Sequence, residues 1–150
     1  MTDDERSDAD LAACSPTPLA RLGGGLTMIA GLFTLVQAVQ LWTFVLIGWV
    51  AAVPYVLVAA GVATIALGFF VTRMRGWAAI ASMVLSGAMT AVHSMWGLYG
   101  MTREFVSLVG FLMPPLTLAA SVATGLVIGA ALRADQARAR LMADGLGLGT

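Results

Sequence analysis

His93 is the residue of this 150-residue chain whose side chain could do chemistry inside an apolar segment. It is the single histidine, and no other strongly ionisable side chain lies well inside a predicted span. Three chemical roles are open to such an imidazole: a proton-titrating gate, a metal ligand or a haem ligand, because histidine changes charge near neutral pH and its neutral ring binds metals.

Gln37 and two prolines are predicted to lie at the same depth as His93. Helix geometry places His93 about 9 Å, and Gln37 about 8 Å, below the outer end of their spans. Pro114 and Pro115 lack amide hydrogens, so they free the carbonyls of the residues four positions earlier, Gly110 and Phe111. We therefore predict a polar packing site formed by these groups, in which hydrogen bonds join the first, third and fourth spans.

The sequence provides no partner residues for the chemical roles of His93. A metal ion needs several ligands at set spacing, and one histidine supplies only one. A haem with two histidine ligands would have to be shared between two chains. Ser94 points away from its neighbour His93 on a helix, so the two form no nucleophile and base pair. We expect no catalytic residue, no metal site, no cofactor and no enzymatic activity.

Four long apolar segments must position these groups. The chain is 59% hydrophobic and 11% charged, whereas a soluble domain is roughly 25% charged. Its mean hydropathy is +0.91. Four segments reach the roughly 20 apolar residues that a helix needs to cross a bilayer, and they cover residues 22–42, 50–72, 77–99 and 105–132. We predict an all-α integral membrane protein with four transmembrane helices in an up-down bundle.

The arginines predict the orientation of this bundle. Seven of the eight arginines lie before the first span, between the second and third, or after the fourth. The other two connections carry only Arg103. Because positive residues are retained on the cytoplasmic side, both termini should be cytoplasmic. Abundant alanine, glycine and arginine, with no lysine, favour a bacterial source and therefore the inner, cytoplasmic membrane.

The segments outside the spans differ in kind. Residues 1–18 are acidic and are predicted to form a disordered cytoplasmic arm. Residues 19–132 form the predicted transmembrane domain. Residues 133–150 begin with good helix formers and end in a glycine-rich tail, so they are predicted to form a helical extension whose arginines, Arg138 among them, lie near anionic lipid headgroups.

Small residues recur at helical spacing in every span. Membrane helices associate through close backbone contact, which small side chains permit. The candidate helix-packing glycines are Gly31, Gly61, Gly68, Gly125 and Gly129. The last two match the small-xxx-small pattern.

Association is the function that these features favour. We expect a non-catalytic membrane protein that acts as a homo-oligomer or as an accessory subunit of a larger membrane complex, with the lipid bilayer, other copies of itself or other membrane subunits as partners. A net charge of zero offers no argument for nucleic acid as a partner. Two alternatives remain open: a small channel or permease lined by Gln37, Gln40 and His93, and a haem-associated electron-transfer subunit.

Single-cysteine labelling tests the predicted topology. In variants that lack Cys14 and carry one cysteine at Thr2, Ser107 or Thr150, an impermeant thiol reagent applied to intact cells should react only at position 107, because only that position lies outside. Permeabilised cells provide the control in which all three positions react. Labelling of both terminal positions in intact cells would reverse the orientation.

Overall fold

The protein is all-helical where it is described. The computed structural model describes residues 3–42, 51–102 and 108–144, which form five helices. These are α1 (Asp3–Ala13), α2 (Pro18–Trp42), α3 (Val53–Thr72), α4 (Gly76–Thr102) and α5 (Leu108–Ala143). The prediction of an all-α chain is confirmed, and α2 to α5 are each long and apolar enough to cross a membrane.

The four long helices form a ring of antiparallel neighbours. Helix α2 packs against α3 and α5, and α4 packs against α5 and more loosely against α3. The direction follows from the contacts, because Gly24 meets Gly68 whereas the later Gly31 meets the earlier Gly61. We call the end that carries α1, the α3–α4 turn and the last part of α5 the base of the bundle.

Helix α1 covers part of residues 1–18, for which the acidic composition predicts a disordered arm. Its side chains pack against the last part of α5, where Asp10 Oδ1 lies 3.6 Å from Arg140 Nη1. Just beyond its end, Cys14 Sγ lies 3.7 Å from the carbonyl oxygen of Ala134. The acidic composition that predicted disorder ignores this tertiary contact, which supplies both a packing surface and an opposite charge.

Local sequence explains where α2 begins. Pro18 is its first residue, a position at which the missing amide hydrogen costs nothing and the fixed φ suits a helix. Thr17 accepts a hydrogen bond from the Ala20 amide through Oγ1 at 3.1 Å, as a helix N-cap does.

The bundle is built with small residues inside and large apolar residues outside. Buried positions include Thr27, Ala30, Ala38, Ser82 and Ala120, whereas exposed positions include Leu32, Val62, Val84, Leu118 and Leu126. Water-soluble proteins concentrate large apolar side chains in their interiors. The inverse arrangement is typical of helices that pack in lipid, where close backbone contact drives association.

Two glycine pairs bring α2 and α3 into backbone contact. A Cβ atom at Gly31 would lie 2.7 Å from the carbonyl oxygen of Gly61, and one at Gly68 would lie 2.7 Å from the carbonyl oxygen of Gly24. Both distances are shorter than van der Waals contact permits. These glycines are therefore required by packing within the chain.

A methyl group at Gly31 should destabilise the fold. Because a Cβ there meets backbone atoms of α3, Gly31→Ala should cost about 1–3 kcal/mol through overpacking. Gly25→Ala is the matched control on the same helix, since a Cβ there meets nothing within 4 Å. Both changes raise helix propensity by the same amount. A difference between the two variants in the free energy of unfolding, measured in mixed micelles, should therefore report packing alone. Equal stability of the two variants would contradict the proposed backbone contact.

Candidate functional site

A cavity at the end of the bundle opposite the base contains the predicted polar residues of α2 and α4. Its volume is about 40 Å³. The described residues that line it come from α2, α3 and α4, and they are Gln37, Leu41, Val53, Leu57, Val92, His93 and Trp96. The cavity lies beside the α3–α4 seam, the most loosely packed of the four seams between neighbouring helices.

Gln37 and His93 both line this cavity. Their side chains are 7% and 2% exposed. Neither Gln37 Oε1 nor His93 Nε2 has a hydrogen-bond partner among the described groups. The two residues therefore line the same cavity, but no hydrogen bond joins Gln37 Oε1 to His93 Nε2.

The predicted contributors from α5 are not among the described residues that line the cavity. They are Gly110, Phe111, Pro114 and Pro115, and the Phe111 side chain is 62% exposed. Helix α5 continues through both prolines. The carbonyl of Pro114 accepts a hydrogen bond from Thr117 Oγ1 at 3.2 Å. Helix α3, which the sequence did not include in the polar site, takes the place of α5 at the described lining.

Gln40 lies outside the cavity. It is exposed and is not among the described lining residues, although Gln37 is three positions away. The described residues therefore do not place Gln37, Gln40 and His93 on one common lining, as the channel hypothesis expects.

Hydroxyl groups connect the helices between the cavity and the base. Thr27 Oγ1 and Ser82 Oγ share a hydrogen bond of 3.2 Å between α2 and α4. Thr90 Oγ1 donates to Thr117 Oγ1 at 2.9 Å between α4 and α5, and Ser121 Oγ donates to the Met83 carbonyl at 3.0 Å. These bonds satisfy the hydroxyl groups that form them, whereas Ser86 Oγ of α4 is buried without a partner among the described groups.

Asp135 and Arg138 of α5 hold the α3–α4 turn at the base. Asp135 Oδ2 accepts a hydrogen bond of 2.7 Å from the amide of Gly76, the first residue of α4. Arg138 donates to the carbonyls of Arg73 at 2.6 Å and Met74 at 2.9 Å, just beyond the end of α3. The carboxylate thus meets the positive end of one helix dipole and the guanidinium the negative end of another. We call this pair the turn clamp.

The turn clamp was missed by sequence reasoning. Arg138 was expected near lipid headgroups, but its side chain is 12% exposed and bonds to Asp135 Oδ1 at 2.8 Å. The turn itself also needs support, because Met74 is buried and has a φ of 55°, a left-handed conformation that a non-glycine residue rarely adopts. The spacing of Asp135 and Arg138, three residues apart, was the only available signal.

The candidate packing glycines divide into two groups. Gly31, Gly61 and Gly68 contact neighbouring helices through their backbones. A Cβ at Gly125 would lie 3.2 Å from Met83 Sδ of α4, whereas one at Gly129 would meet nothing within 4 Å. Of the two glycines in the small-xxx-small pattern of α5, Gly125 therefore packs against α4, whereas Gly129 has no neighbouring atom at its Cβ position.

The described lining of the site holds two polar side chains, Gln37 and His93, that could contact a bound molecule. Among the described residues, no group of three or more histidine, cysteine or acidic side chains could hold a metal ion. Comparison with protein families, with curated proteins and with solved structures finds no match to this chain.

Removing the turn clamp should destabilise the bundle. Arg138→Gln deletes the charged donor to two helix-end carbonyls, so we expect a loss of about 2 kcal/mol in the free energy of unfolding. Arg140→Gln is the matched control. The Arg140 side chain is exposed and its Nη1 lies 3.6 Å from Asp10 Oδ1, so this ion pair should contribute less than about 1 kcal/mol to the free energy of unfolding. Denaturant titration of both purified variants makes the comparison, and similar losses would remove the clamp's special role.

Proposed function

We propose that this chain is a multi-pass membrane protein whose helices α2 to α5 cross the bilayer. The distribution of side-chain size supports this, since the outside of the bundle is covered by leucine, valine, isoleucine and aromatic side chains. So large an exposed apolar surface on a soluble monomer would mark an interaction site or an aggregation hazard. In lipid it is the expected exterior.

The base of the bundle is proposed to face the cytoplasm. The described arginines all belong to the base or to its helix ends, and they are Arg6, Arg21, Arg73, Arg75, Arg133, Arg138 and Arg140. The positive-inside tendency then orients the base, with the residues that precede and follow the four spans, inward. A bacterial inner membrane is the proposed location.

The function we propose is association, either as a homo-oligomer or as an accessory subunit of a membrane complex. The observation that carries this proposal is the part of α5 that exceeds a membrane span. Its 36 residues extend over roughly 54 Å, whereas the hydrocarbon core is roughly 30 Å thick. The excess packs against α1, and the turn clamp joins it to the α3–α4 turn. These contacts stabilise a two-helix surface beyond the bilayer.

This two-helix surface leaves side chains available to a partner. Gln136 and Ala139 are exposed on α5, while Ala137 and Leu141 are buried. A surface with one packed and one exposed face is suited to docking another protein. By contrast, the apolar cluster of Ala20, Val71, Met74, Ala78, Ala79, Val127, Ala131 and Ala134 packs the interior near the base. That packing argues against a solute path through one copy.

Site-specific photo-crosslinking in intact membranes tests association. A photoreactive residue at Gln136 should give a cross-linked protein band, because this position is exposed on the two-helix surface. The matched control is Val122 of the same helix, which is exposed beside the bundle and should react with lipid. Co-expression of two differently tagged copies distinguishes self-association from a second membrane subunit. Absence of any protein adduct from Gln136, together with a monomer in native mass spectrometry, would refute the proposal.

A further inference from the structure

The cavity between Gln37 and His93 is lined by two polar side chains, and each has a buried atom without a hydrogen-bond partner. Gln37 Oε1 and His93 Nε2 are buried without a described partner, and both residues line the same cavity. A buried polar group without a hydrogen bond costs roughly 1–3 kcal/mol. Most buried polar groups in proteins are therefore bonded to protein or to ordered water.

The volume and chemistry of the cavity restrict its occupant. One water requires roughly 10–15 Å³, so about 40 Å³ accommodates one or a few molecules of that size. The described lining contains no charged side chain, which disfavours an ion, because an unpaired charge is costly away from water. The other described lining residues, which include Leu41, Leu57 and Val92, are mostly apolar. Gln37 and His93 are therefore the main polar contacts for an occupant.

We propose that Gln37 and His93 form a binding site for water, which bridges Gln37 Oε1 and His93 Nε2. Water can donate to the amide oxygen and can either donate to or accept from the imidazole nitrogen, whichever tautomer is present. The site is independent of the proposed association, since it lies at the opposite end of the bundle from the two-helix surface. Packing of the apolar cluster near the base confines this hydration to one end.

A double-mutant cycle tests the shared ligand. If water bridges the two groups, Gln37→Leu and His93→Leu each leave the other polar atom unsatisfied, so each should raise the unfolding equilibrium constant roughly tenfold. The double variant should raise it by about the same factor, not about a hundredfold, because it removes both polar groups together.

Thr124→Val provides the matched control for this cycle. Thr124 is buried, but its hydroxyl bonds to the Ala120 carbonyl of its own helix at 2.8 Å. Its effect should therefore add to that of His93→Leu. If Gln37→Leu and His93→Leu each stabilised the protein, or if their effects simply multiplied, the bridging water would be excluded.

The unmodified protein permits a direct test. Because His93 is the only histidine, isotope labelling of histidine gives the signals of one imidazole. We expect cross-relaxation between its ring protons and the water resonance in detergent micelles, and a loss of that signal in Gln37→Leu. Ring protons that contact only aliphatic groups of the protein would overturn the proposal, even if the variants fail to fold.

Discussion

Close contact between the backbones of α2 and α3 is the constraint on which the rest of the bundle depends. Gly31 and Gly61 leave no room for a Cβ atom between them, and Gly24 and Gly68 repeat the contact nearer the base. Such proximity sets the interior width, so the facing positions of α4 and α5 are also small, as at Ser82 and Ala120. Many large apolar side chains, such as Leu32, Val62 and Leu126, then point outward, whereas Met113 and Val127 are buried. The same geometry explains both the packed interior and the apolar exterior.

A narrow interior limits the polar groups that it can satisfy. Threonine can bond to a carbonyl of its own helix, as Thr34 does with Ala30 at 2.8 Å, so it needs no partner on another helix. Gln37 and His93 are longer, and they lie where α3 and α4 pack loosely. Gln37 Oε1 and His93 Nε2 are two of the three buried side-chain atoms that have no partner among the described groups, and Ser86 Oγ is the third. Packing quality and polarity are thus linked along the bundle.

The base solves a different problem, because a short turn leaves helix-end groups that need partners. Asp135 and Arg138 supply them from a third helix, and this requires α5 to continue past the apolar span. The same continuation offers α1 a packing surface. Stability of the turn and formation of the two-helix surface therefore depend on one extended helix. Local composition at residues 1–18 could not reveal this, since the contacts come from residues more than 100 positions away.

The sequence by itself determined the helical class, the four long apolar helices and the shared depth of Gln37 and His93. These follow from hydropathy and from a rise of 1.5 Å per residue, which are local properties. Tertiary structure decided which helix completes the cavity, which glycines are packed and what Arg138 binds. Each of these depends on the rotation of a helix about its axis and on the neighbour that it meets. Such rotation is set by packing between distant segments, so residue spacing could not show that α3 lines the cavity beside Gln37 and His93.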